Sequence, residues 1–110
     1  MEFKGTPAPW VTLPEESDRP YIRVRGTVLG GRYKVANVLT PNHKGVDPRE
    51  AKETRANAHL IAAAPELLEV LIDIVEMQSK NYGNGTTTYI KLKKLAEKAN
   101  LAITKALGQQ

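Results

Sequence analysis

The sequence predicts a single α+β domain, an N-terminal antiparallel β-hairpin packed on two or three C-terminal helices. Three observations predict it. The runs YIRVRGTVL and RYKVANVLT alternate apolar and polar residues on either side of Gly30-Gly31. From Asp47 onward the apolar positions recur at helical spacing instead. A chain of 110 residues has room for one core. The domain divides into a proline-rich arm (1–20), a hairpin (21–40) and a helical part (48–107).

The arm holds four of the seven prolines, Pro7, Pro9, Pro14 and Pro20. Proline fixes φ and removes a backbone donor, so only a short extended piece is expected, at Trp10–Leu13. Trp10, the single tryptophan, is expected to pin the arm to the core. Two glycines between β-branched runs predict a two-residue turn. In that register Leu29 faces Arg32. One face then carries Ile22, Val24 and Val28 with Tyr33, Val35 and Leu39. The other carries Arg23, Arg25, Arg32 and Lys34 among Thr27, Ala36 and Val38. The hairpin is thus read as apolar on one side and basic on the other.

Residues 41–46 read as a loop. Asp47-Pro48-Arg49-Glu50 then opens the first helix: Asp47 is an N-cap, Pro48 suits the first helical position and Glu50 completes a capping box. This helix is expected to run to about Ala63, with small residues, Ala51, Ala58 and Ala62, on its packing side. Pro65 disfavours helix at the residue before it and predicts a break into a second helix, Pro65 to Ser79. That helix has one acidic stripe, Glu66, Glu69, Asp73 and Glu76, and is apolar nearly everywhere else. So wide an apolar arc exceeds what one partner surface covers. Either the helix is central to the domain, or part of it, with Leu68, Leu71, Ile72 and Val75, meets another copy of the chain. After a linker, KNYGNGTTT, a third helix is expected from about Thr88 to Leu107, stopped by Gly108. Lys91, Lys94, Lys98 and Lys105 lie along one side of it, to pair with the acidic stripe or to face solvent or a partner.

Charge is segregated along the chain. Residues 1–46 carry a net +3, residues 47–80 a net −3 and residues 81–110 a net +4. Pairing between segments is one reading, and a basic surface facing an anionic partner is the other. The absence of cysteine removes disulfides, thiolate metal sites and cysteine nucleophiles, and fits a reducing cytosol. There is no apolar run long enough to span a membrane and no apolar signal core at the start, so a cytoplasmic location is expected.

Catalysis has little support. His43 and His59 lack metal-ligand spacing, and no HExxH, CxxC, GxSxG or Walker-type loop is present. We expect no enzyme, no cofactor and no metal. Anion binding has two candidate elements. Arg23, Arg25, Arg32 and Lys34 offer guanidinium forks and an ammonium suited to phosphate. GNGTTT before the third helix brings backbone N–H groups and the Thr86 and Thr87 hydroxyls, with Tyr82 and Tyr89 placed to stack on a base.

The segment from Arg55 to Leu71, RANAHLIAAAPELLEVL, closely resembles one common in small phage and prophage proteins, there a variant of ANARLIAAAPELLEAL. Those proteins often begin with a TPGPW-like stretch. Thr6-Pro7-Ala8-Pro9-Trp10 is similar, with Ala8 in place of the glycine. The resemblance covers the arm and residues 54–71. It implies a role during infection, in the cytoplasm of the infected bacterium, and small accessory phage proteins often inhibit a host defence. The expected function is therefore a non-enzymatic accessory protein that counters host defence by binding. It would sequester a small phosphorylated signal of the cyclic-nucleotide type, or occlude a defence protein. The alternative is a nucleic-acid-binding accessory protein that uses the basic hairpin and the lysine-rich helix. A homodimer is the expectation only where part of the second helix meets another copy of the chain, the alternative to its being central to the domain.

Overall fold

The structure is a computed structural model that describes residues 2–16, 18–28, 33–39, 47–79 and 85–109. Three strands, β1 (Trp10–Thr12), β2 (Tyr21–Gly26) and β3 (Tyr33–Leu39), form one antiparallel sheet in the order β1-β2-β3. Three helices follow: α1 (Pro48–Ala62), α2 (Ala64–Ser79) and α3 (Gly85–Ala106). The α+β expectation holds, with the arm adding the third strand. Trp10 pairs with Gly26 along the sheet, while the contacts of its side chain lie within the arm. Its indole Nε1 donates to the Thr6 carbonyl at 2.9 Å, and its ring meets Phe3 edge-on at 6.3 Å.

The hairpin register differs from the expected one. Tyr21 pairs with Leu39, Ile22 with Val38, Arg23 with Asn37 and Val24 with Ala36. This is one residue off, and a one-residue slip turns a strand's side chains to the opposite face. Val38 and Ala36 therefore share the buried side of the sheet with Ile22 and Val24. Leu39, expected there, sits beside Tyr21 on the other side at 77% exposure. Between Val24 and Arg25 the pairing shifts again, so that Arg25 meets Lys34 and Gly26 meets Tyr33. The irregularity takes up Val35, which was also expected on the apolar face. Gly30-Gly31 lies outside the described residues.

Arg25 explains how the shift is tolerated. Such a step opens carbonyls that a regular ladder would satisfy. The Arg25 guanidinium folds back and donates to the carbonyls of Val24 and Ala36, both at 2.9 Å, and to Asn37 Oδ1 at 2.9 Å. It is the one buried charged residue among those described, at 8% exposure. Of the basic face expected on the hairpin, Arg25 is therefore not open to a partner, because this cation is part of the sheet.

Helix α1 starts as the sequence implies. The Asp47 carboxylate accepts from the Arg49 N–H at 2.9 Å, and Pro48 occupies the first turn. The helix covers the Ile22 and Val24 side of the sheet through small residues. Ala58, Ala62 and Ala63 are buried, and Val24 is fully so. Ala63 makes the break before Pro65: its N–H closes α1 onto the carbonyls of His59 and Leu60, and its own carbonyl accepts from Leu67 N–H in α2. Helix α3 begins at Gly85, three residues before the expected start, so GTTT forms its first turn rather than a loop. Its end matches expectation. Gly108 takes φ +71°, and a Cβ there would lie 2.7 Å from His59 Cδ2.

The buried apolar residues, Ile22, Val24, Ala58, Ala62, Ala63, Val70 and Ala102, all cluster where α1 meets the sheet and the bases of α2 and α3. The rest of the α2–α3 hairpin projects from this base. The molecule measures 61 × 30 × 19 Å with a radius of gyration of 17.5 Å. A compact chain of this length would have about 13 Å.

Replacing Arg25 by Met leaves two carbonyls and the Asn37 amide oxygen without their donor, and we expect a loss of about 2 kcal/mol in urea unfolding. Arg49→Met, which removes an exposed 3.9 Å contact with Glu53, should cost less than about 0.5 kcal/mol.

Candidate functional site

The described residues expected to hold an anion are dispersed, and Arg23 and Arg25 are engaged within the chain. Arg23 donates to Glu16 Oε1 at 2.8 Å and to the Pro14 carbonyl at 3.4 Å, and its side chain is 15% exposed. Glu16 also holds Arg19 at 2.9 Å. Arg25 is committed to the bulge. Lys34 is exposed on β3, opposite Arg25 in the register. Tyr89 is 66% exposed on α3, and Thr86 and Thr87 belong to that helix's first turn. Arg32 and Tyr82 lie outside the described residues. The sheet set and the α3 set thus sit on different elements, and the two hairpin arginines satisfy oxygens of their own chain.

A groove that sequence reasoning missed runs between β1 and α1. One part, about 320 Å³, is lined by Thr12, Leu13, Glu15, Ile22, Arg55 and His59 among others. An adjoining part of about 250 Å³ shares Thr12 and His59 and reaches Lys105 and Gly108. Its charged groups are also paired. Arg55 grips the Glu15 carboxylate with Nε at 2.8 Å and Nη2 at 3.2 Å, tying α1 to the arm. Lys105 meets Glu66 Oε1 at 2.7 Å, and Glu66 Oε2 is buried with no partner of its own. His59 packs on Gly108. Four separate segments build this groove, so spacing along the chain carries no sign of it.

The third feature is apolar. Helices α2 and α3 lie antiparallel and meet through charge. Lys98 donates to Glu69 Oε1 and to Asp73 Oδ2, both at 2.7 Å, and Lys105 to Glu66. The acidic stripe therefore pairs with the lysine stripe, one of the alternatives left open by the sequence. The hydrogen bond to Asp73, then that to Glu69, holds the Lys98 ammonium above the ordinary lysine range. With carboxylates turned toward α3, the apolar arc of α2 turns outward. Leu71 is 60% exposed, Val75 49% and Ile74 43%. Of the other residues expected at an interface, Leu68 and Ile72 sit nearer the arm, where they line a hollow of about 330 Å³ with Phe3 and Pro65. The outer edge of β3 is free among the described residues, with Tyr33 and Leu39 exposed along it.

Among the described residues no group of His, Cys, Asp and Glu is arranged to hold a metal, and no helix is long and apolar enough to cross a membrane. One protein-family model, described as Salmonella phage P22 protein Y8K6, matches residues 1–110. No curated protein and no solved structure matches the chain.

Because the folded-state pKa of Lys98 is raised, its contribution is fully present below the unfolded lysine value of about 10.4 and is lost as pH rises through the higher folded value. The difference in urea midpoint between wild type and Lys98→Met should be constant through neutral pH and shrink in that alkaline window. A difference that does not change with alkaline pH would show that Lys98 acts only by packing.

Proposed function

This chain belongs to the family of Salmonella phage P22 protein Y8K6, and we propose that it serves its phage as a non-enzymatic accessory protein that inhibits a host defence system by binding one of its proteins. The observation that carries the binding mode is the edge of β3 away from β2, which is open among the described residues. Alternate residues of this seven-residue strand turn their backbone donors and acceptors away from β2, with Tyr33 at 48% and Leu39 at 77% exposure beside them. An uncovered edge accepts an extended segment of another protein as a further strand, with main-chain hydrogen bonds giving affinity and exposed side chains giving specificity. Membership of a phage family supplies the setting.

Occlusion of a protein is favoured over capture of a phosphorylated signal because Arg23 and Arg25 already hold oxygens of this chain. An incoming phosphate would have to displace Glu16 or the Ala36 carbonyl. The same reasoning weakens the nucleic-acid alternative, since Lys98 and Lys105 are held by carboxylates.

Phage with and without this gene, plated on hosts with single defence systems and on an undefended host, test the function. Plating of the gene-deleted phage should fall by an order of magnitude or more on one defended host alone. Complementation with Leu39→Asp should fail although that chain stays folded. Equal plating on every host would end the proposal. Thermal stabilisation by a cyclic nucleotide that Arg23→Ala abolishes would move the function to signal capture. Salt-sensitive gel shifts with long strands would move it to nucleic acid.

A further inference from the structure

We infer that the segment captured at the β3 edge is acidic, carrying an aspartate or glutamate beside Lys34 and an apolar residue beside Leu39; this rests on the strand-addition reading proposed above. Backbone geometry fixes where such a segment bonds. The Leu13 N–H donates to the Arg23 carbonyl at 2.9 Å, so Arg23 turns its backbone groups toward β1. Its partner on β3, Asn37, then turns its own N–H and C=O away from β2. Leu39, two residues on, does the same, while Ala36 and Val38 turn theirs toward β2. Asn37 and Leu39 are therefore the residues whose main-chain donors and acceptors meet an added strand. Beyond them, the shift between Val24 and Arg25 interrupts the regular ladder before Lys34.

Charge selects what the added strand carries. Alternation puts Tyr21, Arg23 and Arg25 on one side of β2, with their register partners Leu39, Asn37 and Lys34 beside them. The cations on this side are unequally matched. Arg23 meets the Glu16 carboxylate at 2.8 Å. Arg25 meets carbonyl and amide oxygens and, among the described residues, no carboxylate. Those oxygens satisfy its donors but leave its unit charge uncancelled. Lys34 is exposed and makes no ion pair with a described residue. Two uncompensated cations thus stand side by side across β2 and β3. Like charges in register are unfavourable, and an acidic side chain on the far side of Lys34 relieves the repulsion. The Asn37 amide oxygen is already taken by Arg25. Lys34 and Leu39 are therefore the side chains on this side of β3 left to discriminate among partners.

The spacing follows from the same register. Lys34 and Leu39 stand beside Arg25 and Tyr21, which are four positions apart on β2, because the irregularity puts one extra residue into β3. An even separation keeps two side chains of a strand on one side of the sheet. The captured segment therefore carries its acidic residue four positions from the apolar one that covers Leu39, itself 77% exposed. A segment without the acid leaves Arg25 and Lys34 uncompensated, so the edge sorts extended segments by charge as well as by backbone fit.

A displayed library of random peptides of about ten residues, selected on the full chain, tests the inference. The expected result is enrichment of peptides with Asp or Glu four positions from an apolar residue, whose binding is lost with Leu39→Asp. A synthetic copy of such a peptide should bind Lys34→Glu about tenfold more weakly than wild type. The same peptide with its acid replaced by lysine should reverse that preference. Circular dichroism checks that each variant is folded. If Lys34→Glu is not, the milder Lys34→Gln carries the test and should weaken binding about threefold. Peptides that need Leu39 but show no enrichment of acid overturn the inference and leave strand capture standing. So do acidic peptides that bind a folded Lys34→Glu chain as tightly as wild type, since their acid is then read elsewhere. A selection that returns no peptide dependent on Leu39 overturns strand capture and the inference together.

Discussion

Lys98 lies 2.7 Å from both Glu69 and Asp73, and the rest of the helical half follows from that contact. A lysine between two carboxylates draws the charged stripe of α2 against α3, and Lys105 on Glu66 repeats the arrangement one helical segment along. Ordinary amphipathic helices bury their apolar stripe and expose their charges. Here the stripe that faces the neighbouring helix is the charged one. Leu71, Ile74 and Val75 are left outside as a direct consequence, and so is the length of the molecule, because charged seams do not drive compaction as an apolar core does. Each such pair is modest in water, worth about 0.2–1 kcal/mol, so the pairs set orientation more than stability. The apolar face they expose is where burial remains to be gained.

The sheet half depends on a different kind of charge. Arg25 is buried, and its guanidinium fills the gap that a shifted register leaves between β2 and β3. With the shift accommodated there, the register fixes which side chains of β3 face the helix. Val38 and Ala36 join Ile22 and Val24 under α1, while Leu39 is carried to the surface. The alanines of α1 matter for the same reason. Ala58, Ala62 and Ala63 let the helix approach closely enough that Val24 is sealed from solvent by small side chains. The two halves join at His59, which lies against the left-handed Gly108 at the end of α3 and also lines the groove behind β1.

Much of the architecture was legible because it is local. Asp47 and Pro48 mark the start of α1, Pro65 marks its separation from α2, and Gly108 marks the end of α3, each by a backbone property of the residue itself. The register was not legible, since two glycines permit more than one turn and the bulge at Val24 and Arg25 depends on a side chain reaching across strands. For the candidate sites the position is reversed. Arg23, Arg25 and Lys34 alternate as an anion site would, yet Glu16 and Pro14 reach Arg23, and Ala36 reaches Arg25, through the fold. Only contacts between distant segments could reveal that.

The sequence by itself determined the element types and their order, the break at Pro65, and the fact that α2 has more apolar surface than one neighbour can cover. These follow from hydrophobic periodicity and from the conformational limits of proline and glycine, which act within a few residues. The tertiary structure alone decided which stripe of α2 faces α3, which face of β3 is buried and which cations remain available to a partner. Those outcomes are contests between contacts far apart in the chain. Lys98 meets Asp73 across 25 positions and Arg25 meets Asn37 across 12, and no local pattern ranks one such pairing above another.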